Sequence, residues 1–290
     1  MLGKFCRLFA QKQPVSYTGV LTHTFYWLTS PANDLVYKNP NYKPVEGQAG
    51  VAIYCVHGTA DRPAAFTRIA ERLIEQGLPE EVESIHLVSF EGRGKGLSID
   101  DFSSQLIEKI KINKHTRVML MGHSRGGLVV TKAAEDMAEK GDIAPLLCIG
   151  ICAPYSGSYL ALPPLSWFSS SVSEMELDSP FLDELNKKLA TSTIPYHFVE
   201  ALEDGIVPVE YGYAKSYLKD HPNALSRYAR HGHLSIMSSH VLVEEMGRLM
   251  KEVLNPLPIK KGGEVAITRH ESWGGPLIED YEPPKAVLGS

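Results

Sequence analysis

The sequence predicts an α/β fold: one mostly parallel central sheet with helices on both faces and a lid-like insert. Three observations carry this. Short apolar, β-branched runs alternate with longer segments whose apolar residues recur at helical spacing. The short runs are apolar throughout rather than at every second residue, as burial on both faces of a parallel sheet demands. A serine framed by glycines stands at the corner between one such run and a helical segment, in "MLMGHSRGGLVV" (119–130).

In chain order, "GVAIYCV" (50–56) reads as a strand running into His57-Gly58, and "PAAFTRIAERLIEQG" (63–77) as a helix with a glycine stop. "ESIHLVSF" (83–90) is a strand. "SIDDFSSQLIEKIKIN" (98–113) is a helix whose first turn carries acids against the positive end of its dipole. "TRVMLM" (116–121) and "GLVVTKAAEDMAEKG" (127–141) form the next strand and helix. "PLLCIGIC" (145–152) and "IPYHFVEA" (194–201) are further strands, and "SHVLVEEMGRLMKEVL" (239–254) is a closing helix. Residues 1–254 are therefore expected to form a single domain. Within its N-terminal edge segment, 1–45, "VSYTGVLTHTFYWLTS" is strand-like and is expected to extend the sheet edge. Residues 153–193 are too long for a simple connection and read as a lid- or cap-like insert, closed by a short helix at "PFLDELNKKLA". Residues 255–290, rich in Pro, Gly and charge, read as a C-terminal tail, with Trp273 in it as a candidate docking residue.

The chain has 290 residues, 43% hydrophobic and 22% charged, the make-up of a globular protein rather than a disordered one. Its net charge of −5 argues against nucleic-acid binding. No run approaches the roughly 20 apolar residues of a membrane span. The first apolar run is broken by Arg7, short of the roughly 7–15 residues of a signal-peptide core. A cytoplasmic protein is expected, with export by a leaderless route left open. Phe5, Leu8 and Phe9 beside Lys4, Arg7 and Lys12 offer one amphipathic turn to a membrane surface, although packing on the domain is the simpler expectation. Of the four cysteines (Cys6, Cys55, Cys148 and Cys152), the last two stand four residues apart along a strand. That is about 13 Å, too far for a disulfide, and buried free thiols suit a reducing compartment. No Cys/His spacing matches a zinc site. "EGRGKG" (91–96) lacks both the next glycine of a dinucleotide loop and the Ser or Thr of a phosphate loop. Neither metal nor cofactor is expected.

In "GHSRG", the glycines at 122 and 126 permit a strand-to-helix turn so tight that side chains there would collide, and the turn lifts the Ser124 hydroxyl to a helix N-terminus. A serine hydroxyl needs a base to become a nucleophile, and the base needs an orienting group. Eleven histidines compete for the base. His233, in "RHGHLSIM" before the last helix, is the first choice and His231 the runner-up. After the strand at 194–201, "ALEDGIVP" offers Asp204, in a turn fixed by Gly and Pro, with Glu203 as competitor and Glu200 nearby. Two backbone N–H groups are expected to meet the oxyanion: that of Arg125, directly after the nucleophile, and that of Thr59 in the loop after the first strand, with Ala60 as fallback. His57 reads as a brace for that loop rather than a second base. Leu160, Leu162, Leu165, Trp167 and Phe168 form an apolar patch in the insert that would suit an acyl chain or pack as core.

"VHGTADRPAAF", "FEGRGKGLSIDDF", "GHSRGGLVV", "LEDGIVP" and "GHLSIMSSHVLVEEM" together resemble an α/β-hydrolase of the serine lipase and esterase type, over roughly residues 50–254. Glu91 stands where Asp is more usual in the second motif, and "APYSGSYLA" stands where the family more often has Pro-x-x-Gly-Ser. The order Ser124, Asp204, His233 is the order of that family's triad. The resemblance implies the α/β-hydrolase fold and a serine hydrolase cleaving carboxylic esters, of lipid acyl type, through an acyl-enzyme. Alternatives are a thioesterase, a carboxylesterase of small esters, or a catalytically silent binding protein on the same fold.

Overall fold

The structure, a computed structural model, describes residues 16–59, 61–92, 96–158, 161 and 169–255. The chain divides into two units, Met1–Pro256 and Leu257–Ser290, and every described residue lies in the first. Cys6, the N-terminal turn with Lys4, Phe5, Arg7, Leu8, Phe9 and Lys12, the fallback donor Ala60, the apolar patch of Leu160, Leu162, Leu165, Trp167 and Phe168, and the tail with Trp273 all lie outside the described residues.

Seven strands form one sheet: β1 (Leu35–Lys38), β2 (Val51–Val56), β3 (Val82–Val88), β4 (Arg117–His123), β5 (Ala144–Ile151), β6 (Tyr196–Ala201) and β7 (Leu225–Tyr228), in spatial order β1-β3-β2-β4-β5-β6-β7. β1 pairs antiparallel with β3 and every other pair is parallel. The helices are α1 (Ser16–Thr29), α2 (Thr67–Gln76, after a 3-10 turn at Pro63–Phe66), α3 (Ile99–Ile112), α4 (Arg125–Lys140), α5 (Pro180–Leu189) and α6 (His240–Leu254), with single turns at Ser170–Ser173, Lys215–Leu218 and Ser235–Ser238. On one sheet face Tyr54, Val118 and Leu120 meet Phe102 and Leu106 of α3, Val130 and Met137 of α4 and Leu185 of α5. On the other, Ile53, Met119 and Ile149 meet Ile69 and Leu73 of α2 and Met246 and Met250 of α6. Each large apolar side chain removed from water in this way contributes about 1.5–3 kcal/mol. That explains why the strands are apolar throughout: every residue of β2 and β6 is buried.

Local signals set the ends of the helices. Ser98 and Asp101 cap each other's backbone N–H at the start of α3. Ser179 caps α5, with Pro180 in its first turn. Gly141 takes φ 72° just after α4, a left-handed geometry that favours glycine. Among the described residues no helix is long and apolar enough to cross a membrane.

One expected element is overturned. Ser16–Thr29 is a helix, not a strand. Its Thr, Val, Tyr, Phe and Trp favour strands only weakly, and tertiary contacts decide such cases. Gly19 lies so close to Ser235 that a Cβ on it would sit 2.5 Å from Ser235 Cβ, and His23, one turn on, pairs with Asp61. Among the described residues of the N-terminal part, only the four of β1 form an edge strand. The strand series also continues one strand beyond 194–201: β7, with sequence LSRY, is short, mostly part-exposed and polar, so it leaves little apolar signal.

Because β2, β4, β5, β6 and β7 are parallel neighbours, their carboxyl ends share one edge. His57, Ser124 and Cys152 each follow a strand directly, Asp204 comes three residues after β6, and His233 five after β7.

Candidate active site

Ser124 sits between β4 and α4 with φ 55° and ψ −129°, a conformation non-glycine residues rarely adopt. The turn allows nothing larger than glycine around it. A Cβ on Gly122 would lie 2.2 Å from Gly126 O, and one on Gly126 would lie 2.2 Å from Val56 O. Ser124 N–H donates to Ile151 O at 2.8 Å, and Ser124 O accepts from Gly127 N–H at 2.9 Å. No side chain caps α4, so its first N–H groups, Arg125's among them, are directed at the turn with the positive end of the helix dipole.

The candidate base and the candidate acid are joined. His233 Nδ1 lies 2.7 Å from Asp204 Oδ2, and both side chains are buried. A carboxylate only accepts, so Nδ1–H is the donor in this bond and Nε2 lies outside it. Asp204 is itself held: its Oδ1 accepts from Ile206 N–H (2.8 Å) and Val207 N–H (2.9 Å). Burial raises the Asp204 pKa, but the bond and charge of His233 and these two backbone donors outweigh it, so the carboxyl stays below its ordinary value. His233 O accepts from His123 Nε2–H at 2.8 Å, which ties His233 to the residue before Ser124, the two rings standing 4.7 Å apart. Burial first, then the neighbouring His233, push the His123 pKa down to about 3, so this brace is neutral.

The competitors have other roles. His231 Nδ1–H donates to Ala229 O (2.9 Å) and pairs with no acid among the described residues. Glu203 is exposed. Glu200 is buried and accepts from Glu210 N–H (2.6 Å), Gly212 N–H (3.1 Å) and Arg227 Nε–H (2.9 Å), holding the loop after β6 and, through Arg227, β7. No hydrogen bond joins Ser124 Oγ to His233 among the described residues; in enzymes without substrate this contact is commonly long and tightens on binding.

The loop after β2 reaches Ser124, since a Cβ on Gly58 would lie 3.0 Å from Ser124 Cβ. Thr59 follows directly. His57 Nδ1–H donates to Gly58 O at 2.9 Å, the contact of a brace.

Three participants left no signal in the sequence. Asp61 Oδ1 accepts from Arg62 N–H (2.8 Å), and its Oδ2 lies 3.1 Å from His23 Nε2, with both side chains 7% exposed. Burial raises the Asp61 pKa, and the bond and charge of His23 override it, leaving the carboxyl ionised below its ordinary value. His23 stands 38 residues upstream, so no local pattern could link the two. The third is Cys152, buried at φ 47°. Its sulfur lies with one ligand atom each of Asp204 and His233 in a set whose members are all within 4.8 Å of one another. Burial first, then the Asp204 charge, push the thiol well above its ordinary pKa, so it stays protonated beside the acid.

No protein-family model and no curated protein matches the chain. Solved structures do. A monoacylglycerol lipase from Paleococcus ferrophilus superposes with a TM-score of 0.54 at 15% identity, covering 78% of this chain and 99% of that one. The lipase BlEst2 of Bacillus licheniformis, in mature form, gives 0.52 at 14% identity, covering 76% and 99%. MGS-MChE2, an α/β hydrolase from the metagenome of lagoon sediments at Mar Chica, Morocco, gives 0.51 at 15%, covering 77% and 95%. Taken with its sheet topology and the placement of its strand ends, these likenesses show that the chain has the α/β-hydrolase fold.

Proposed function

We propose that the protein is a serine hydrolase that cleaves carboxylic esters, of lipid acyl type, through an acyl-enzyme. The observation that carries this reading is the buried 2.7 Å pair of His233 and Asp204, on the same sheet edge as a serine held in a strained strand-to-helix turn. The fold neighbours, a monoacylglycerol lipase and a lipase among them, favour lipid esters.

Ser124 Oγ attacks the ester carbonyl carbon while its proton passes to His233 Nε2. Asp204 steadies the imidazolium through Nδ1–H. The N–H groups of Thr59 and Arg125 receive the oxyanion. As the tetrahedral species collapses, the C–O bond to the alcohol breaks and Nε2–H protonates the leaving oxygen. Water then repeats the attack on the acyl-enzyme, with Nε2 again taking the proton, and releases the acid. Leu160, Leu162, Leu165, Trp167 and Phe168 of the insert are proposed as the acyl wall.

The test is labelling by a fluorophosphonate, with peptide mapping of the adduct. Stoichiometric modification of Ser124, abolished in Ser124→Ala, is the expected result; an unlabelled serine with the fold intact returns the chain to the class of silent binding proteins. Rates on aryl esters of rising chain length then fix the substrate class: a short-chain optimum removes the lipid assignment and leaves the mechanism.

A further inference from the structure

α1 has no Asp, Glu, Lys or Arg in its 14 positions, and its one histidine, His23, is turned to Asp61. One side of it is fastened to the site. Gly19 rests on Ser235, two residues after His233, and His23 pairs with Asp61, two residues after Thr59. Arg62 Nη1–H donates to Trp27 O at 3.2 Å, its guanidinium 4.7 Å from the Trp27 ring, and Tyr26 Oη–H donates to Glu71 at 3.2 Å. The other side faces outward. Val20, Leu21, Thr24 and Leu28 are exposed, Leu21 by 70% and Leu28 by 65%. At about 100° per residue these four fall within about a quarter to a third of the helix circumference. The exposed side of a helix ordinarily carries Lys and Glu, and this one carries leucine.

The charge distribution indicates what covers that face. The first 33 residues hold Lys4, Arg7 and Lys12 and no Asp or Glu, whereas the rest of the chain holds all 34 acids against the other 26 bases. An acidic protein thus carries a basic, acid-free segment that leads directly into a helix without Asp, Glu, Lys or Arg and with an apolar outer row. This pairing suits an anionic lipid surface, where apolar side chains enter the acyl boundary and basic ones meet the headgroups.

We propose that the outward row of α1 docks the protein on anionic bilayers, which lays the rim of the candidate active site against the lipid. The proposal deepens the lipid-ester reading, yet binding is measured without turnover, so the two fail separately. The test uses the full chain with Ser124→Ala in place, sedimented with phosphatidylcholine vesicles with and without phosphatidylglycerol. Binding is expected only with phosphatidylglycerol and is expected to fall as salt rises. Leu21→Glu/Leu28→Glu is expected to lower the vesicle partition coefficient at least tenfold. In the otherwise wild-type chain it leaves the circular dichroism spectrum and the rate on a soluble short-chain aryl ester unchanged. Absence of binding to phosphatidylglycerol vesicles overturns the proposal, as does equal binding by the double variant. A dimer in sedimentation velocity that Leu21→Glu/Leu28→Glu dissolves also overturns it, in favour of a second copy of the chain on that face.

Discussion

Two histidine–aspartate pairs lie along one edge of the sheet, both withdrawn from water. His233–Asp204 spans 2.7 Å and His23–Asp61 spans 3.1 Å. In each, burial raises the carboxyl pKa, and the hydrogen bond from the histidine, followed by its charge, overrides burial and keeps the carboxyl below its ordinary value. They differ in which ring nitrogen is engaged and in what carries the ring. His233 uses Nδ1 and comes from a loop after the last strand, so its Nε2 lies outside the bond, where the proposed mechanism needs it. His23 uses Nε2 and comes from a peripheral helix, so its bond ties α1 to the loop that bears Thr59. The same two residue types thus make the proposed proton relay in one place and a clamp between helix and loop in the other. Position and ring orientation decide the role.

Breaking each pair separates the two roles. The largest effect is expected at the relay: Ser124→Ala, or His233→Ala, should lower kcat on an ester by about 10⁴–10⁶. Asp204→Asn should lower it by about 10⁴, because the amide favours the wrong imidazole tautomer. Steady-state kinetics at equal folded concentration measure both, and a loss under tenfold for Ser124→Ala would remove the nucleophile assignment. At the clamp the balance reverses. His23→Ala leaves the buried Asp61 charge without its partner, so it should lower stability by about 3 kcal/mol in urea unfolding. Its kcat should fall only about tenfold, through misplacement of the loop that carries Thr59. A His23→Ala variant with wild-type stability would refute the clamp.

A third cluster sharpens the contrast through pH. Burial raises the Glu245 pKa, but bonds from His197, Ser226 and Tyr228 outweigh it and hold the carboxyl down at about 2. A depressed folded pKa means that the carboxylate stabilises the fold above its unfolded value, near 4.5, and that this contribution disappears as pH falls toward 2. Glu245→Gln is therefore expected to be about 2 kcal/mol less stable than wild type at pH 7, with the gap closing on acidification. Denaturation series at pH 7, 4 and 2.5 check the sign. The smallest effect belongs to Cys152. Buried, and with its thiol pushed up beside Asp204, it should resist iodoacetamide at pH 8 in the folded protein and react after unfolding. Mass spectrometry reads the difference.

Much of the site could be read in the residues. Ser124 was identifiable because its flanking glycines answer a local steric need, which the 2.2 Å approaches at Gly122 and Gly126 make visible. The alternation of apolar runs and helical periods located five of the seven strands and helices α2 to α6, because two-sided burial writes itself into consecutive residues. α1 was misread as strand because β-branched and aromatic residues say little about conformation until their neighbours are known. β7 was missed because four mostly polar, part-exposed residues carry no apolar pattern.

The sequence by itself determined the parallel α/β order, the glycine-framed serine and the chain order of serine, acid and histidine. These rest on short-range sterics and on periodic burial. Tertiary structure alone decided that α1 is a helix, that His23 meets Asp61, that His123 braces the carbonyl of His233, and that a protonated Cys152 lies beside Asp204. The reason is that a hydrogen bond between residues 38 or 110 positions apart leaves no local constraint in the chain. Such a bond exists only once the parallel strands have brought their carboxyl ends to a common edge.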